Sequence, residues 1–417
     1  MPIFKKTIFT GFAPNLTGRD TLTALAYLLL PWKWLSWRDG QYAGQAETKI
    51  KNYFSVSQAH VFDSGRSALF FALKALGAEQ GTEVLVQAYT CLVVANAIKY
   101  AGATPVYLDV GDDFNIDPLD LEKKITPRAK ILIIQHTFGQ PARLQELLAI
   151  AKKYNLKIIE DCAHSLGARY QGKLTGAFGD VGMLSFGSDK IISCVRGGAL
   201  VTNDEEVGKK LSDYKNNLPP SAVSKIFQHL MHYPIFYAGK ALYSLTIGKI
   251  LLKLAKNLNI INKIIYSEEK VGDRMKDYPA RLPDCLAKIL INQLGELEEI
   301  IKHQKKIAGL YDSLLDHKKI NLPLKAKADC VYLRYPVLTE NPKKLARLAK
   351  QQGIILGDWY QTPIAPADIM FEPTGYRPGA CPKAEALAGQ SINLPTDRQI
   401  SETDAARIIS CVNGSSR

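Results

Sequence analysis

Between about residue 60 and residue 205, apolar and polar positions alternate in blocks. Short runs rich in Val, Ile and Leu recur: EVLVQAY, TPVYLDV, AKILIIQH, LKIIEDC, DVGMLSF and GALVTN. Among them lie segments with apolar residues at helical spacing: SALFFALKALG, LVVANAIKYAG and ARLQELLAIAKKYN. Two of these segments end in glycine and one in asparagine, residues that tolerate the left-handed backbone common just past a helix. Strand–helix alternation of this kind predicts an α/β fold with a mainly parallel sheet. In such sheets ligands sit beyond the carboxyl ends of the strands.

The pattern changes on both sides of this block. Residues 1–57 read as irregular, except for TLTALAYLLLPWKWLSW at 21–37, with Trp32, Trp34 and Trp37 close together. Its uncharged run is shorter than the roughly 20 apolar residues a bilayer span needs. Two readings stand: a greasy helix packed on the main body, or an anchor with tryptophans at headgroup level. Residues 218–270 open on a linker-like NNLPPSAV and continue as an apolar, aromatic stretch. Over 225–266 that stretch carries six lysines and no acid. The lysines interrupt the apolar runs, so a basic amphipathic helical pair is expected, either buried at a subunit interface or resting on a membrane. From 283, PDCLAKILINQLGELEEIIKHQKKIAGLYDSLL predicts one long amphipathic helix. VYLRYPVL, KLARLAKQQGI and a Pro-rich stretch then suggest a smaller α+β domain, closed by a helix over SETDAARIISCVN with a Ser-x-x-Asp start. The expected organisation is therefore an N-terminal segment 1–57, a large domain 58–282 and a C-terminal part 283–417.

Composition narrows the function classes. A 417-residue chain can bury a large core, and nothing marks it as disordered or uniformly membrane-spanning. The formal charge of +13 fits an anionic substrate, an anionic membrane or simply a lysine-rich surface. No nucleic-acid-binding signature is present. Seven cysteines stand singly, without a C-x-x-C pair, which argues against a disulfide framework or a zinc site and for a reducing compartment. The first residues lack the apolar core and cleavage site of a secretory signal, so a cytoplasmic location is expected.

Four local features carry chemistry. In DSGRSALFFAL, Gly65, Arg66 and Ser67 fall where a helix begins, and free N–H groups, a hydroxyl and an arginine there suit a phosphate. In KIIEDCAHSLGA, Asp161 ends an apolar run and His164 follows three residues on. In LSFGSDKIISCVRGGALVTND, Ser185 and Lys190 follow another apolar run; a desolvated lysine is a candidate amine nucleophile. The pair Gly197–Gly198 then allows close backbone approach or an unusual turn. Each feature alone is common in structural roles. Their order is the order used to hold pyridoxal phosphate, whose aldehyde needs an amine, whose phosphate needs donors, and whose ring nitrogen needs an anion.

On these residues the chain resembles the DegT/DnrJ/StrS family of nucleotide-sugar aminotransferases. The resemblance covers about 58–215 and resumes from about 277. It rests on SGRSALFFALKALG, EVLVQAYTCLVVANAIKYAGATPVYLDV, NIDPLDLEKKITPRAKILIIQHTFGQPA, EDCAHSLGARYQGKLTGAFGDVGMLSF and GGALVTND. YPARLPDCLAKILINQLGELEEI resembles the family's dimer-interface motif, and SINLPTD its Leu-Pro motif. The resemblance implies fold type I: a three-layer α/β/α large domain on a mainly parallel mixed sheet, plus the smaller C-terminal α+β domain. It implies pyridoxal 5'-phosphate as cofactor, with Lys190 as the Schiff-base lysine, Asp161 paired with the pyridinium and His164 beside the ring. Ser185, with Gly65, Arg66 and Ser67, would hold the phosphate. Arg281 would reach the neighbouring subunit's site in a homodimer.

The sequence also departs from the family. Arg66 stands where a threonine is usual. Cys91 stands where an aromatic residue commonly stacks on the cofactor, with Tyr89 as a candidate substitute. WYQTPIAP, around Trp359 and Tyr360, replaces a His-Tyr-x-Pro-Leu-His motif. The expected activity is transfer of an amino group from an amino acid, glutamate by resemblance, to a keto-sugar, nucleotide-linked by resemblance. A sugar dehydratase of the same fold is disfavoured by Lys190, because related dehydratases carry histidine there. A non-catalytic membrane-associated regulator is the other alternative. Segments 21–37 and 225–266 are the candidate contacts with the inner membrane face.

Overall fold

The computed structural model describes residues 6–11, 15–317, 320–323 and 328–414. Seven strands form the central sheet: β1 (Gln58–Phe62), β2 (Glu83–Gln87), β3 (Thr104–Leu108), β4 (Ala129–Gln135), β5 (Lys157–Asp161), β6 (Val181–Ser185) and β7 (Gly198–Thr202). They lie in the order β1-β7-β6-β5-β4-β2-β3. Only β7 is antiparallel to its neighbours β6 and β1; the remaining ladders are parallel. The alternation of apolar runs and helical segments thus folds as the mainly parallel, mixed sheet it predicts.

Successive side chains of a strand face opposite layers. Val84, Val86, Ile131 and Ile133 pack with Leu69, Leu73 and Ile98 on one face. Leu85, Leu132 and Ile134 pack with Leu144 and Leu147 on the other. The first face is covered by α3 (Gly65–Ala75) and α4 (Leu92–Tyr100), the second by α5 (Leu144–Lys153). Strands buried on both sides explain why the runs show no polar alternation.

The N-terminal segment is less irregular than its sequence suggests. It holds α1 (Gly18–Leu29), opened by a Thr17 cap, and α2 (Tyr42–Phe54). Ala24 and Tyr27 of α1, and Ala46, Ile50 and Phe54 of α2, share one apolar cluster with Val61 of β1. That cluster also takes in Ile226, Leu230 and Tyr233 of the insertion, which forms the expected helical pair, α7 (Val223–Ala241) and α8 (Ile247–Asn257). The two helices cross where glycines permit it: a Cβ on Gly248 would stand 2.2 Å from the Gly239 carbonyl oxygen. Preceding the pair, α6 (Glu205–Asn216) starts on Asp204, whose carboxylate accepts the Glu206 and Val207 N–H groups.

The long helix expected from 283 is instead two, α9 (Asp284–Leu294) and α10 (Leu297–Leu314), broken at Gly295 and Glu296. Glycine is a poor helix interior residue, and the break lets the two helices serve different cores. Leu286 and Leu290 of α9 pack with Val61 and Val201 of the large sheet. Ile307 and Tyr311 of α10 pack in a separate cluster with β8 (Tyr335–Leu338), β9 (Ser391–Leu394) and α12 (Glu402–Gly414). Between β8 and β9 in the chain, α11 (Pro342–Gln351) adds Leu345 and Ala349 to that cluster. The predicted start of α12 forms a reciprocal cap: Ser401 Oγ accepts the Asp404 N–H, and Asp404 accepts the Ser401 N–H. Among the described residues no helix is long and apolar enough to cross a membrane.

Candidate active site

The parallel strands end at one large cavity of about 420 Å³. Asp161 and Ser185, the last residues of β5 and β6, line it, as do Gly65 and Arg66 from the start of α3. Lys190 lines it from the turn after β6, where its backbone N–H donates to the Gly187 carbonyl. His164, Cys91 and Gly197 complete the sequence-predicted part of the wall. Seven of the ten predicted site residues therefore face one space: Gly65, Arg66, Cys91, Asp161, His164, Ser185 and Lys190.

The α3 end is built by close backbone approach. Ser64 caps the helix, its hydroxyl accepting the Ser67 N–H at 3.2 Å. The Ser67 hydroxyl lies 3.0 Å from that of Ser64, so Ser67 serves the cap and is not among the lining residues. A Cβ on Gly65 would stand 2.9 Å from Ser185 Oγ, and one on Gly198 would stand 2.6 Å from the Gly65 nitrogen. The paired glycines thus provide closeness, not a left-handed turn. Arg66 is drawn to one side: its guanidinium pairs with Glu269 at 2.5 Å and donates to the Ile264 carbonyl.

At the other end, Asp161 is buried and its Oδ1 accepts the Ala163 N–H at 2.9 Å. Burial raises its pKa, against the opposing pull of the Ala163 N–H and the charge of Lys190. His164 Nδ1 accepts the Phe138 N–H at 3.4 Å, which places the ring proton on Nε2, 3.3 Å from the Tyr360 hydroxyl. Burial, with the charges of Lys190 and Arg334, holds its pKa well below the ordinary value, so the imidazole is neutral.

Sequence reasoning noted Trp359 as a departure and missed its place. It lines the cavity, stacks on His164 at 5.1 Å between centroids, and lies under the Lys190 ammonium, 4.8 Å from the ring centre. The Arg334 guanidinium also lies over this ring, at 3.4 Å. An aromatic face is thus supplied by a residue distant in sequence from Cys91. Tyr89, the candidate substitute, does not line the cavity: fully buried, its hydroxyl meets Ser391 at 2.8 Å and accepts the Tyr360 N–H at 3.1 Å. It braces the Trp359–Tyr360 segment from behind. Asn262, Ile264 and Ile265, from the end of the insertion, also line the cavity and carried no motif to announce it. Arg281 is not among the lining residues of its own chain; it pairs with Asp39 at 3.3 Å. Among the described residues no group of acids, histidines and cysteines could hold a metal ion.

The chain is 36% identical over 205 residues to GDP-perosamine synthase of Escherichia coli O157:H7, covering 49% of this chain and 56% of that one. It thus spans little more than half the length of that relative. It is 29% identical over 372 residues to dTDP-3-amino-3,4,6-trideoxy-alpha-D-glucose transaminase of Streptomyces venezuelae, covering 88% of this chain and 85% of the relative. The crystal structure of S. venezuelae DesV in complex with a ketimine intermediate superposes with a TM-score of 0.74 at 27% identity, over 96% of this chain and 95% of that one. The DegT/DnrJ/EryC1/StrS aminotransferase family model matches residues 25–232 and 236–413, and the chain belongs to that family.

Proposed function

We propose that this protein is an aminotransferase that uses pyridoxal 5'-phosphate to move an amino group from an amino acid, glutamate by family, onto a nucleotide-linked keto-sugar. Its product would serve cell-surface polysaccharide or glycolipid biosynthesis. One observation carries the reading: a single cavity joins an amine, Lys190, a strand-tip carboxyl, Asp161, and an open helix N-terminus at Gly65. The residues fit the cofactor. Gly65 and Gly198 leave a cradle that a Cβ would fill, and a buried arginine, Arg196, lines the same cavity.

When bound, the cofactor supplies an aldehyde carbon that condenses with amines and a ring that takes up electrons from the substrate. The rest is the work of the chain. Lys190 provides the amine that tethers the aldehyde and, once free, shifts a proton at the donor's Cα as base and then acid. Asp161, as a carboxylate, holds a proton on the ring nitrogen; the burial that raises its pKa also strengthens that bond. The α3 N–H groups, Ser185 and Arg66 bind the phosphate, while Ser67 acts through the Ser64 cap. His164, neutral and fixed by Phe138 and Tyr360, sits beside the ring without adding charge. Trp359, Ile264 and Ile265 would give the reacting atoms apolar walls.

Release of the keto acid before the sugar enters predicts ping-pong kinetics. Relatives named for nucleotide-linked amino sugars support the acceptor class. The family's dimer motif around Arg281 supports a homodimer with shared sites. Exposed apolar and basic side chains on α8 and the turn at Trp32–Leu35 support peripheral contact with an anionic membrane face.

The test supplies glutamate to the cofactor-loaded protein, then a panel of nucleotide keto-sugars. Glutamate should convert the cofactor to its amine form and release 2-oxoglutarate, and Lys190→Ala should abolish both. A sugar dehydratase would instead release a deoxygenated keto-sugar and no amino-sugar, so the product of the second half-reaction separates the two. Undiminished 2-oxoglutarate from Lys190→Ala, or no conversion by any amino acid, would overturn the assignment.

A further inference from the structure

The cavity wall contains a second arginine that neither the sequence motifs nor the relatives' names account for. Arg196 is 3% exposed and lines the cavity with Gly65, Arg66 and Ser185. Its Nη1 donates to the Lys263 carbonyl at 3.4 Å, while Nε and Nη2 are buried without a hydrogen-bond partner. The guanidinium is held by aromatic faces, 4.5 Å from the centre of the Tyr278 ring and 5.5 Å from that of Tyr266. A buried cation with unmet N–H groups is unfavourable unless something fills them.

The position of Arg196 says what kind of group that is. Two residues on, Gly198 pairs with Ser185 in the sheet and abuts the Gly65 nitrogen, so Arg196 belongs to the α3 end of the cavity. The charges that act on it come from that end, namely Glu269 and Asp63. Arg66 is close enough for the two guanidinium groups to repel each other. Against two cations stand Glu269, already paired with Arg66, and Asp63, whose carboxyl is pushed up to about 7 by burial. Glu269 thus matches Arg66, while Arg196 pairs with no carboxylate among the described residues and stands beside a helix N-terminus, which itself favours an anion. Both arginines are fixed by consecutive carbonyls at the end of the insertion, Lys263 for Arg196 and Ile264 for Arg66.

We propose that Arg196 is the principal charged ligand of the cofactor's phosphate, and that the 263–264 backbone, by pinning Arg196 and Arg66, makes the insertion part of the cofactor site. This rests on the function proposed above. A phosphate could also arrive as the diphosphate of a nucleotide-sugar, and the experiment separates the two sources.

Equilibrium dialysis of the apoprotein with pyridoxal phosphate and with pyridoxal, for wild type, Arg196→Met, Arg196→Lys and Arg66→Met, reads the phosphate's share of binding directly. Arg196→Met should weaken pyridoxal phosphate by about tenfold or more and leave pyridoxal unchanged. Arg196→Lys should recover part of the loss, because the charge is kept and the fork is not. Arg66→Met should lose less, since that guanidinium is already paired. Equal loss of both ligands in Arg196→Met would assign the residue a structural role and overturn the proposal. So would unchanged pyridoxal phosphate binding with a raised KM for the nucleotide-sugar, which would place the substrate's diphosphate there. A wild-type protein that binds neither ligand would remove the function proposed above along with it.

Discussion

Glu160 and Asp161 are neighbours on β5 with opposite duties. Alternation along a strand sends their side chains to opposite faces. Asp161 reaches the cavity. Glu160 turns away and accepts N–H groups from Gly176, Phe178 and Gly179, with the buried His136 ring at 3.1 Å. Glu160→Ala would leave those donors unmet in the interior and should cost about 3 kcal/mol or more in urea unfolding. Asp161→Asn should leave the cofactor-free protein as stable as wild type or slightly more so, since burial works against its charged form. It should also abolish transamination. If Asp161→Asn proved the more destabilising of the two, the division of labour would be wrong. That a carboxyl stands at a strand tip is legible in KIIEDC. That Trp359 faces Lys190 is not, because no local spacing links residues so far apart; only the packing of the Ser391 strand and Tyr89 against the Trp359–Tyr360 segment sets it.

At the scale of elements, the site depends on how closely β7 approaches the start of α3. The Gly-Gly pair is readable as close approach or an unusual turn, and Gly65–Ser67 as a helix start; that these two features touch requires the sheet order β1-β7-β6. Gly198→Ala drives a methyl group to 2.5 Å from the Ser64 carbonyl oxygen and 2.6 Å from the Gly65 nitrogen. Both are backbone atoms and cannot swing aside. The strand and helix must part, at a cost of about 1–3 kcal/mol by analogy with overpacked cores. The displaced N–H groups should weaken pyridoxal phosphate binding more than pyridoxal binding. A lowered melting temperature with unaltered preference for the phosphorylated form would show that the cradle does not depend on this contact. The insertion teaches the complementary lesson. Lysine spacing was enough to predict two amphipathic helices, but the tail that follows them, Asn262–Ile265, forms cavity wall without any pattern of its own.

Two properties belong to the molecule as a whole. Three buried histidines, His164, His229 and His232, have pKa values depressed by burial, His232 to about 3. An unfolded chain takes up protons on them below the ordinary 6.5, while the folded one resists. The stability they support is therefore complete above about 6.5 and declines as pH falls below it, since the unfolded state then binds more protons. Asp63 and Asp397, raised by burial to about 7 and about 6, act in the opposite sense over this range, because the folded state binds the extra proton there. The histidine share is therefore read by comparison: the change in urea midpoint from pH 7 to pH 5 should be more negative for wild type than for His232→Phe, and an identical change would contradict burial of His232 as a neutral group. The second property is the unevenness of the surface. Leu35 and Trp32 are 90% and 68% exposed, and α8 exposes Ile247, Ile250 and Leu254 beside Lys249, Lys253 and Lys256. In a chain of net charge +13, this combination suits an anionic bilayer better than an acidic-poor protein partner. Deleting the whole insertion cannot test the idea, because α7 packs Leu230 and Tyr233 into the core and Asn262, Ile264 and Ile265 line the cavity. Substitutions confined to the outer face of α8 can. Ile250→Ser with Leu254→Ser, or glutamates in place of Lys249, Lys253 and Lys256, should leave folding and cofactor binding intact. Either set should abolish cosedimentation with vesicles rich in anionic lipid, which in the wild type should weaken as salt rises past the point where the screening length falls to about 8 Å. Should the wild type ignore such vesicles at low salt, yet change its mass with concentration in a way that the α8 substitutions remove, the face would be a contact between copies of this chain instead.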